Sequence, residues 1–412
     1  MNFAGMIAAA IHAEDLGPVT LVTSSEALDQ PATQAIARSG IFRDVAIVES
    51  QGVPRPLEHL LPILRRWSHE PRRVQVGDKW LRQTVLAEYT EKLGRQTAAL
   101  LAYFREAGGS DRFRAVFIPY IDRAKFIPLG FWRNPFGVTE FAGIAINPRC
   151  HFRPMGIAVD ERLRDDRIEA LSFRRLIRHR RLGALFSIDP YFVRYCANDR
   201  VRHVPEPARR ASPPVPGALR RRLGISSSAI VLLLYGDLGS RRKTQAEAIR
   251  ALADPRIPAS VVLIAAGRRQ HPDVEHLPEP ETSLLRAAGR FIELNRFIED
   301  EWEDALFDAA DIVWACYRDH TAHSNVLTKA GLWGKPVAAC RQGLIGQLVR
   351  DAGCGICASP DSHDEMVEAL QALASDQPLR SRLGAAARGA FEANDAAAFT
   401  EPILAWLRTL RP

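Results

Sequence analysis

Six short apolar runs fill the second half of the chain: IVLLLYG (230–236), SVVLIAAG (260–267), FIELNRF (291–297), DIVWACY (311–317), PVAAC (336–340) and CGICAS (354–359). Each is far shorter than the roughly 20 apolar residues that a membrane-spanning helix needs. They are mostly continuous rather than alternating, and turn residues bound them, so each reads as a buried strand. Stretches with helical spacing lie among them: about Thr244 to Leu252, EDEWEDALFDAA, 324–333, and SHDEMVEALQALASD with apolar side chains at 366, 369, 370 and 373. Strands alternating with helices predict βα units around a parallel sheet, and hence a doubly wound α/β domain.

The first half shows the same grammar. NFAGMIAAAIHAEDLG predicts a helix ending near Gly17, and VTLVTS (19–24) and VAIVES (45–50) predict strands. Lys79 to Glu106 has helical spacing and stops at GGSD, while RAVFIP, GIAIN and LGALFSID read as further strands. Residues 205–228 are rich in Pro, Ser and Arg, the composition of a linker. The expected organisation is therefore an N-terminal Rossmann-like domain (1–204), a linker (205–228), a second such domain (229–395) and a last helix (396–412). That helix carries Phe399, Ile403, Leu404, Trp406 and Leu407, which need an apolar surface to cover them.

Charge is unevenly spread over the 412 residues. Net charge is +7, but residues 149–222 hold 18 Arg, no Lys and 8 acidic residues, a net +10 that leaves −3 for the rest. Such a segment is either a solvated surface or a contact for an anionic partner. Nucleic acid is disfavoured, because zinc-finger spacing and aromatic RNP-like motifs are absent from the sequence. The N-terminal stretch lacks a basic region ahead of its apolar residues and meets Glu14 and Asp15, so it reads as a helix rather than a signal peptide, and a cytoplasmic location is expected. Of six Cys, Cys354 and Cys357 form one Cys-x-x-Cys pair; without a second pair or suitably spaced His they read as packed thiols.

Ligands of a doubly wound sheet bind beyond the carboxyl ends of its strands. Two such ends carry suitable groups. In YGDLGSRRKT, a strand ends at Gly236, and Arg241, Arg242 and Lys243 precede a helix. Glycine lets a backbone approach a ligand, and a helix N-terminus with cations beside it suits phosphate. A basic surface turn is the alternative. In RDHTAHSN a second helix starts near Ser324, which either caps that helix or adds a second anion site facing the first across the carboxyl edge of the sheet.

YGDLGSRRKT, AADIVWACY, SNVLTKAGLWGKPVAAC, GLIGQLV and AGCGICASPD follow one another in the order found in the C-terminal domain of retaining glycosyltransferases of the GT-B fold, the family-4-like enzymes. The chain resembles that family over roughly 229–375, and more weakly through SIDPY and HVPEPA. The resemblance implies two Rossmann-like domains facing across a cleft. It implies a nucleotide-diphosphate sugar on the second domain, an acceptor mainly on the first, and retaining transfer without metal or other cofactor. It places the last helix on the first domain. Gly236, Arg242 and Lys243 match the family's grip on the diphosphate, and Ser324, Asn325 and Val326 match the turn that meets the distal phosphate. Asp122 and His151, beyond N-terminal strands, are the catalytic candidates. The Arg-rich segment suits an anionic or lipid-linked acceptor and peripheral contact with a membrane.

Two departures from the family stand out. Thr321 and Lys329 occupy the places of a pair of Glu, one near the sugar and one on the ribose; Lys329 cannot accept a hydrogen bond, and Asp319 and His320 are the nearby polar substitutes on the donor side. A GT-B-like protein that binds a nucleotide sugar or polyanion without catalysis therefore stands as the alternative reading. The family also opens with a strand and a Gly-rich loop ahead of its first helix. The expectation is a strand encoded upstream of Met1, or else an N-terminal sheet with an exposed edge or gap.

Overall fold

The computed structural model describes residues 3–23, 34, 37–47, 103–124, 136–159, 167–211, 214–269 and 276–410. The helix expected over Lys79–Glu106 lies outside these residues except at its end. The chain divides into two compact units: 1–148, 166–204 and 400–412 form the first, and 149–165 with 205–399 form the second.

In the first unit, β1 (Thr20–Thr23) and β2 (Asp44–Ile47) pair in parallel. A separate four-stranded parallel sheet holds β3 (Ala115–Ile118), β4 (Glu140–Ala145), β5 (Leu182–Ser187) and β6 (Val201–His203) in sequence order. Helix α1 (Phe3–Ala13) buries Phe3, Ile7 and Ala8. An apolar cavity of about 390 Å³ opens where Ile7 and Ile11 of α1, Leu21 of β1 and Val116 of β3 meet. Helix α2 (Arg167–Ile177) leads to β5, and α3 (Pro190–Cys196) follows it. Asp189 of SIDPY caps α3, accepting from the N–H groups of Tyr191 and Phe192, with Pro190 in the first turn where its missing N–H costs nothing.

The described residues of 205–228 are packed against the second unit rather than forming a loose linker. The N–H of Ala211 donates to Asp304 (2.6 Å) and that of Gly217 to Asp308 (3.3 Å). A short helix, α4 (Ala218–Arg222), carries Arg220, whose guanidinium bonds the Ala309 carbonyl and the Asp311 carboxylate. Backbone donors that Pro-rich composition leaves unpaired locally thus find acceptors on the helix Asp300–Ala309. Residues 149–165 also belong here, tied in by the Gly343 N–H donating to the Ala158 carbonyl (2.8 Å).

Six parallel strands form the sheet: β7 (Ile230–Tyr235), β8 (Val261–Gly267), β9 (Phe291–Asn295), β10 (Ile312–Ala315), β11 (Val337–Cys340) and β12 (Gly355–Ala358), in the order β12-β11-β10-β7-β8-β9. Six helices alternate with or follow them: α5 (Gln245–Ala253), α6 (Glu281–Ala287), α7 (Asp300–Ala309), α8 (Asn325–Leu332), α9 (Gly343–Ala352) and α10 (His363–Ser375). The four central strands, β11, β10, β7 and β8, are buried on both faces, as their continuous apolar runs require, while the edge strands β9 and β12 are mostly half-buried. Helix α11 (Gln377–Phe391) lies against α8 so closely that a Cβ on Gly331 would stand 2.5 Å from the Phe391 Cβ. The last helix, α12 (Ala396–Arg408), crosses from one unit to the other: from Thr400 onward it groups with the first, where Trp406 lies 6.4 Å from the Phe117 ring and Gly183 leaves room for its indole. Burial pushes the Cys354 thiol up to about 12 and raises that of Cys357, so the Cys-x-x-Cys pair consists of neutral, packed thiols.

Candidate functional site

Strand order reverses between β7 and β10, and that is where a doubly wound sheet opens a crevice at its carboxyl edge. The basic turn stands there. Arg241–Lys243 form one turn of 3₁₀-helix ahead of α5. Nζ of Lys243 donates to the Tyr235 carbonyl at the end of β7 (3.0 Å) and to the Tyr317 hydroxyl beyond β10 (3.0 Å), and sits 4.1 Å from the Tyr317 ring centroid. The ammonium therefore spans the switch point. An ammonium has three donors; among the described residues these two bonds are its polar contacts, which leaves one N–H for a ligand. Gly236 has φ +114°, and a Cβ there would stand 3.1 Å from that Nζ, so the position needs glycine for its backbone and for the lysine.

Arg242 is exposed, and its carbonyl accepts from the Arg318 N–H (2.9 Å), which ties the basic turn to the loop leaving β10. His320 in that loop packs edge-on against Tyr317 (ring centroids 5.5 Å apart), with Nε2 3.2 Å from the His323 carbonyl. Burial first, then the charge of Arg242 and, less, of Lys243, pushes the His320 imidazole down to about 4. Arg242, Lys243 and His320 are thus gathered at one crevice, and the imidazole is neutral at neutral pH. Asp319 is exposed in a left-handed backbone conformation (φ +52°).

At the start of α8, the Ser324 side chain does not cap the helix. Val326 is buried. Asn325 Nδ2 turns away to the Pro207 carbonyl (2.8 Å), so its side chain fastens the incoming 205–208 segment. Beside it, burial pushes the Glu206 carboxyl up to about 7 despite a hydrogen bond with Asn325. Lys329, one turn into α8, is buried and ion-paired with Glu303 of α7. Thr321 lies where Gly343 lets α9 come close: its carbonyl accepts from the Leu344 N–H (3.2 Å).

A cavity of about 370 Å³ adjoins the crevice at the ends of β7, β8 and β9, lined by Gly236, Gly267, Arg268, Arg296 and Phe297 among others. Phe297 is 63% exposed, and the Arg268 guanidinium lies 5.1 Å from its ring. An open aromatic face and two guanidinium groups beside a phosphate-suited turn have the chemistry to seat a nucleoside. Phe297, Arg268, Tyr317 and Glu303 escaped the sequence reading. The signal for Arg268 and Tyr317 was their place at strand ends; Glu303 offered none.

In the first unit, Asp122 belongs to the single turn Ile121–Ala124 after β3 and accepts from the Asn147 N–H (2.9 Å). His151 belongs to the stretch 149–165 of the second unit and is fully buried, its ring edge-on to Phe152 at 4.7 Å.

A family described as "Glycosyl transferases group 1" matches residues 229–376, the span that holds the whole six-stranded sheet and its crevice. Residues 229–376 form a group 1 glycosyltransferase domain. A D-inositol 3-phosphate glycosyltransferase of Kribbella flavida is 29% identical over 179 residues, which spans 41% of this chain and 41% of that protein. Among solved structures, sucrose-phosphate synthase from Thermosynechococcus elongatus aligns with a TM-score of 0.62 at 16% identity, over 99% of this chain and 91% of that one. Anabaena HepE, solved with UDP and glucose, aligns with a TM-score of 0.58 at 16% identity, over 99% and 96%. The likeness to these GT-B glycosyltransferases extends over both units and shows the fold. Against the glycosyltransferase pattern, the carboxylate expected at 329 is replaced by a lysine that is itself neutralised by Glu303.

The two displaced titrations near the crevice give opposite pH signatures. The unfolded His320 takes up a proton near 6.5 and the folded one only near 4, so stability is gained as pH rises through that window and is lost below it. The full shift is worth at most about 3 kcal/mol. Glu206 does the reverse: its folded carboxyl ionises near 7 against 4.5 when unfolded, so stability falls as pH rises between those values. In urea unfolding, Glu206→Gln is expected to gain on the wild type as pH goes from 5 to 8. His320→Gln is expected to gain on it as pH goes from 7 to 4. Parallel pH profiles for wild type and variants would refute both.

Proposed function

We propose that the protein is a glycosyltransferase that takes a sugar from a nucleoside-diphosphate sugar held on the second unit and passes it, with retention and without a metal, to an acceptor met by the first. The observation that carries this reading is the Lys243 ammonium spanning the β7–β10 switch point, with Arg242 and neutral His320 beside it. In the reaction the bond from the anomeric carbon to the diphosphate oxygen breaks, the electron pair leaves with the diphosphate, and the acceptor oxygen bonds the same face of the sugar while its proton passes to the departing diphosphate. Negative charge grows on the leaving diphosphate, where Lys243 and Arg242 would stabilise it before water can reorganise. Gly236 allows close approach, the first turn of α8 (Ser324, Asn325, Val326) offers backbone N–H groups to the distal phosphate, and the Phe297 cavity takes the nucleoside. Asp319 lies close enough in the chain to meet the sugar. Asp122 is the acceptor-side carboxylate.

An anionic or lipid-linked acceptor suits the exposed Arg174 and Arg175 of α2 and Arg178 just after it, as does peripheral contact with a cytoplasmic membrane face. Among the described residues no helix is long and apolar enough to cross a membrane. Binding without catalysis is the second reading, favoured by Lys329 and Glu303 neutralising each other where the family has a carboxylate. Incubation with UDP-, GDP- and ADP-sugars separates the two. Slow release of the nucleoside diphosphate, unaffected by EDTA, is expected of the transferase; binding by titration with no release for any donor would support the second reading. Retention of the anomeric configuration in the released product is checked by proton NMR.

A further inference from the structure

Thr244 is the only β-branched residue among the described ones with a positive φ (φ 51°, ψ 41°). A β-branched side chain strains the left-handed region, and such strain persists only where the surroundings impose it. Thr244 is fully buried, and its hydroxyl accepts from the Trp314 indole Nε1 (3.0 Å) and donates to the Cys316 carbonyl. Trp314 is itself buried, in β10. The residue before Thr244 is Lys243, whose ammonium donates to the Tyr317 hydroxyl (3.0 Å) as well as across the crevice to the Tyr235 carbonyl. The residue before that, Arg242, accepts from the Arg318 N–H (2.9 Å). Three consecutive residues are thus fastened to the segment 314–318, and the reversal at Thr244 is what turns the 3₁₀ turn back over the switch point before α5 begins.

We propose that Thr244, pinned by Trp314, is a positioning residue for Lys243: it fixes the ammonium at the β7–β10 crevice in the place where it meets the diphosphate of a nucleotide. The inference rests on the donor-site reading above and deepens it. A hydroxyl that both accepts and donates at a strained backbone position sets the direction of the chain more tightly than glycine could. The lysine then pays little ordering entropy when the ligand arrives.

UDP, GDP and ADP are titrated into the wild-type protein, and the tightest becomes the probe. Thr244→Val keeps the shape and loses the hydroxyl; Thr244→Ser keeps the hydroxyl; Thr244→Gly loses the hydroxyl while fitting the left-handed backbone, and covers the case in which the valine variant does not fold. Lys243→Met and the double variant Thr244→Val/Lys243→Met complete a cycle, with urea midpoints recorded for each. Thr244→Val or Thr244→Gly is expected to weaken binding about tenfold, as imperfect placement of one charged contact would, with Thr244→Ser within about twofold of wild type. The double variant is expected to bind no more weakly than Lys243→Met, because a residue that acts through lysine has nothing left to act on. Wild-type binding by both Thr244→Val and Thr244→Gly, or losses that add in the double variant, would overturn the positioning role and leave the nucleotide site standing. Unchanged binding by Lys243→Met would remove the nucleotide site and the inference with it.

Discussion

Lys329→Ala is expected to destabilise the second unit by about 3–5 kcal/mol, the cost of leaving one member of a buried ion pair alone. Lys329 is 7% exposed, and its partner Glu303 stands on a neighbouring helix beside Tyr235, whose phenol burial and that carboxylate push far up. Removing the ammonium strands the Glu303 charge among Tyr235 and Phe307, whose rings lie 5.6 Å apart. Removing both charges costs much less, since a buried pair barely repays its own desolvation. The double variant Lys329→Met/Glu303→Gln should therefore recover most of the loss. Urea unfolding of the two single variants and the double one measures this. A Lys329→Ala loss under about 0.5 kcal/mol, the range of ordinary surface changes, would mean that the pair is solvated and stabilises nothing. The pair also bears on function: a lysine that holds α7 to α8 fixes the first turn of α8 against the sheet.

Why the sheet of the second unit was legible follows from its burial. Strands covered on both faces must be apolar throughout, and runs such as VVLIAAG admit no other use in a chain this polar between them. β6 has only three residues with mixed exposure, so it carries no pattern to read. Helix α9 opens on Gly343 at φ +71°, a residue that by itself signals a loop, and its glycine is there to clear the Thr321 backbone. The segment 205–228 misled for a physical reason too. Its Pro and Ser suggest a free linker, but Asp304, Asp308 and Asp311 accept its donors from far along the chain. The same division runs through the site. A strand end, two cations and a helix start are local and visible. What Lys243 bonds is not, because Tyr235 and Tyr317 become neighbours only when β10 pairs with β7 across the switch point. Thr244 likewise looks like an ordinary helix-start residue until Trp314 is seen behind it.

Lys243→Ala is expected to reduce affinity for the nucleotide by about 10- to 150-fold, the loss of a charge-assisted hydrogen bond of roughly 1.5–3 kcal/mol. The structure ranks the three cations of the turn. Lys243 is partly buried and fixed at two points, so little of its freedom remains to be lost on binding. Arg242 is exposed, with only a 3.4 Å contact from Nε to the Ser240 hydroxyl, and must be ordered by the ligand, which offsets part of its gain; its variant should lie toward the low end of the range. Arg241 is exposed and serves as the control, with a change below about threefold, as a screened surface charge gives. Folding should change little for Arg242→Ala. For Lys243→Ala the Tyr235 carbonyl loses a donor at the crevice, where water can replace it. His320 reports independently: with the Lys243 charge gone its imidazole should titrate higher than about 4, and NMR of its ring protons follows that shift. Titrations at fixed ionic strength decide the matter. Equal, small losses from all three variants would mean a diffuse basic surface, and the crevice between β7 and β10 would then have to be filled by something other than a diphosphate.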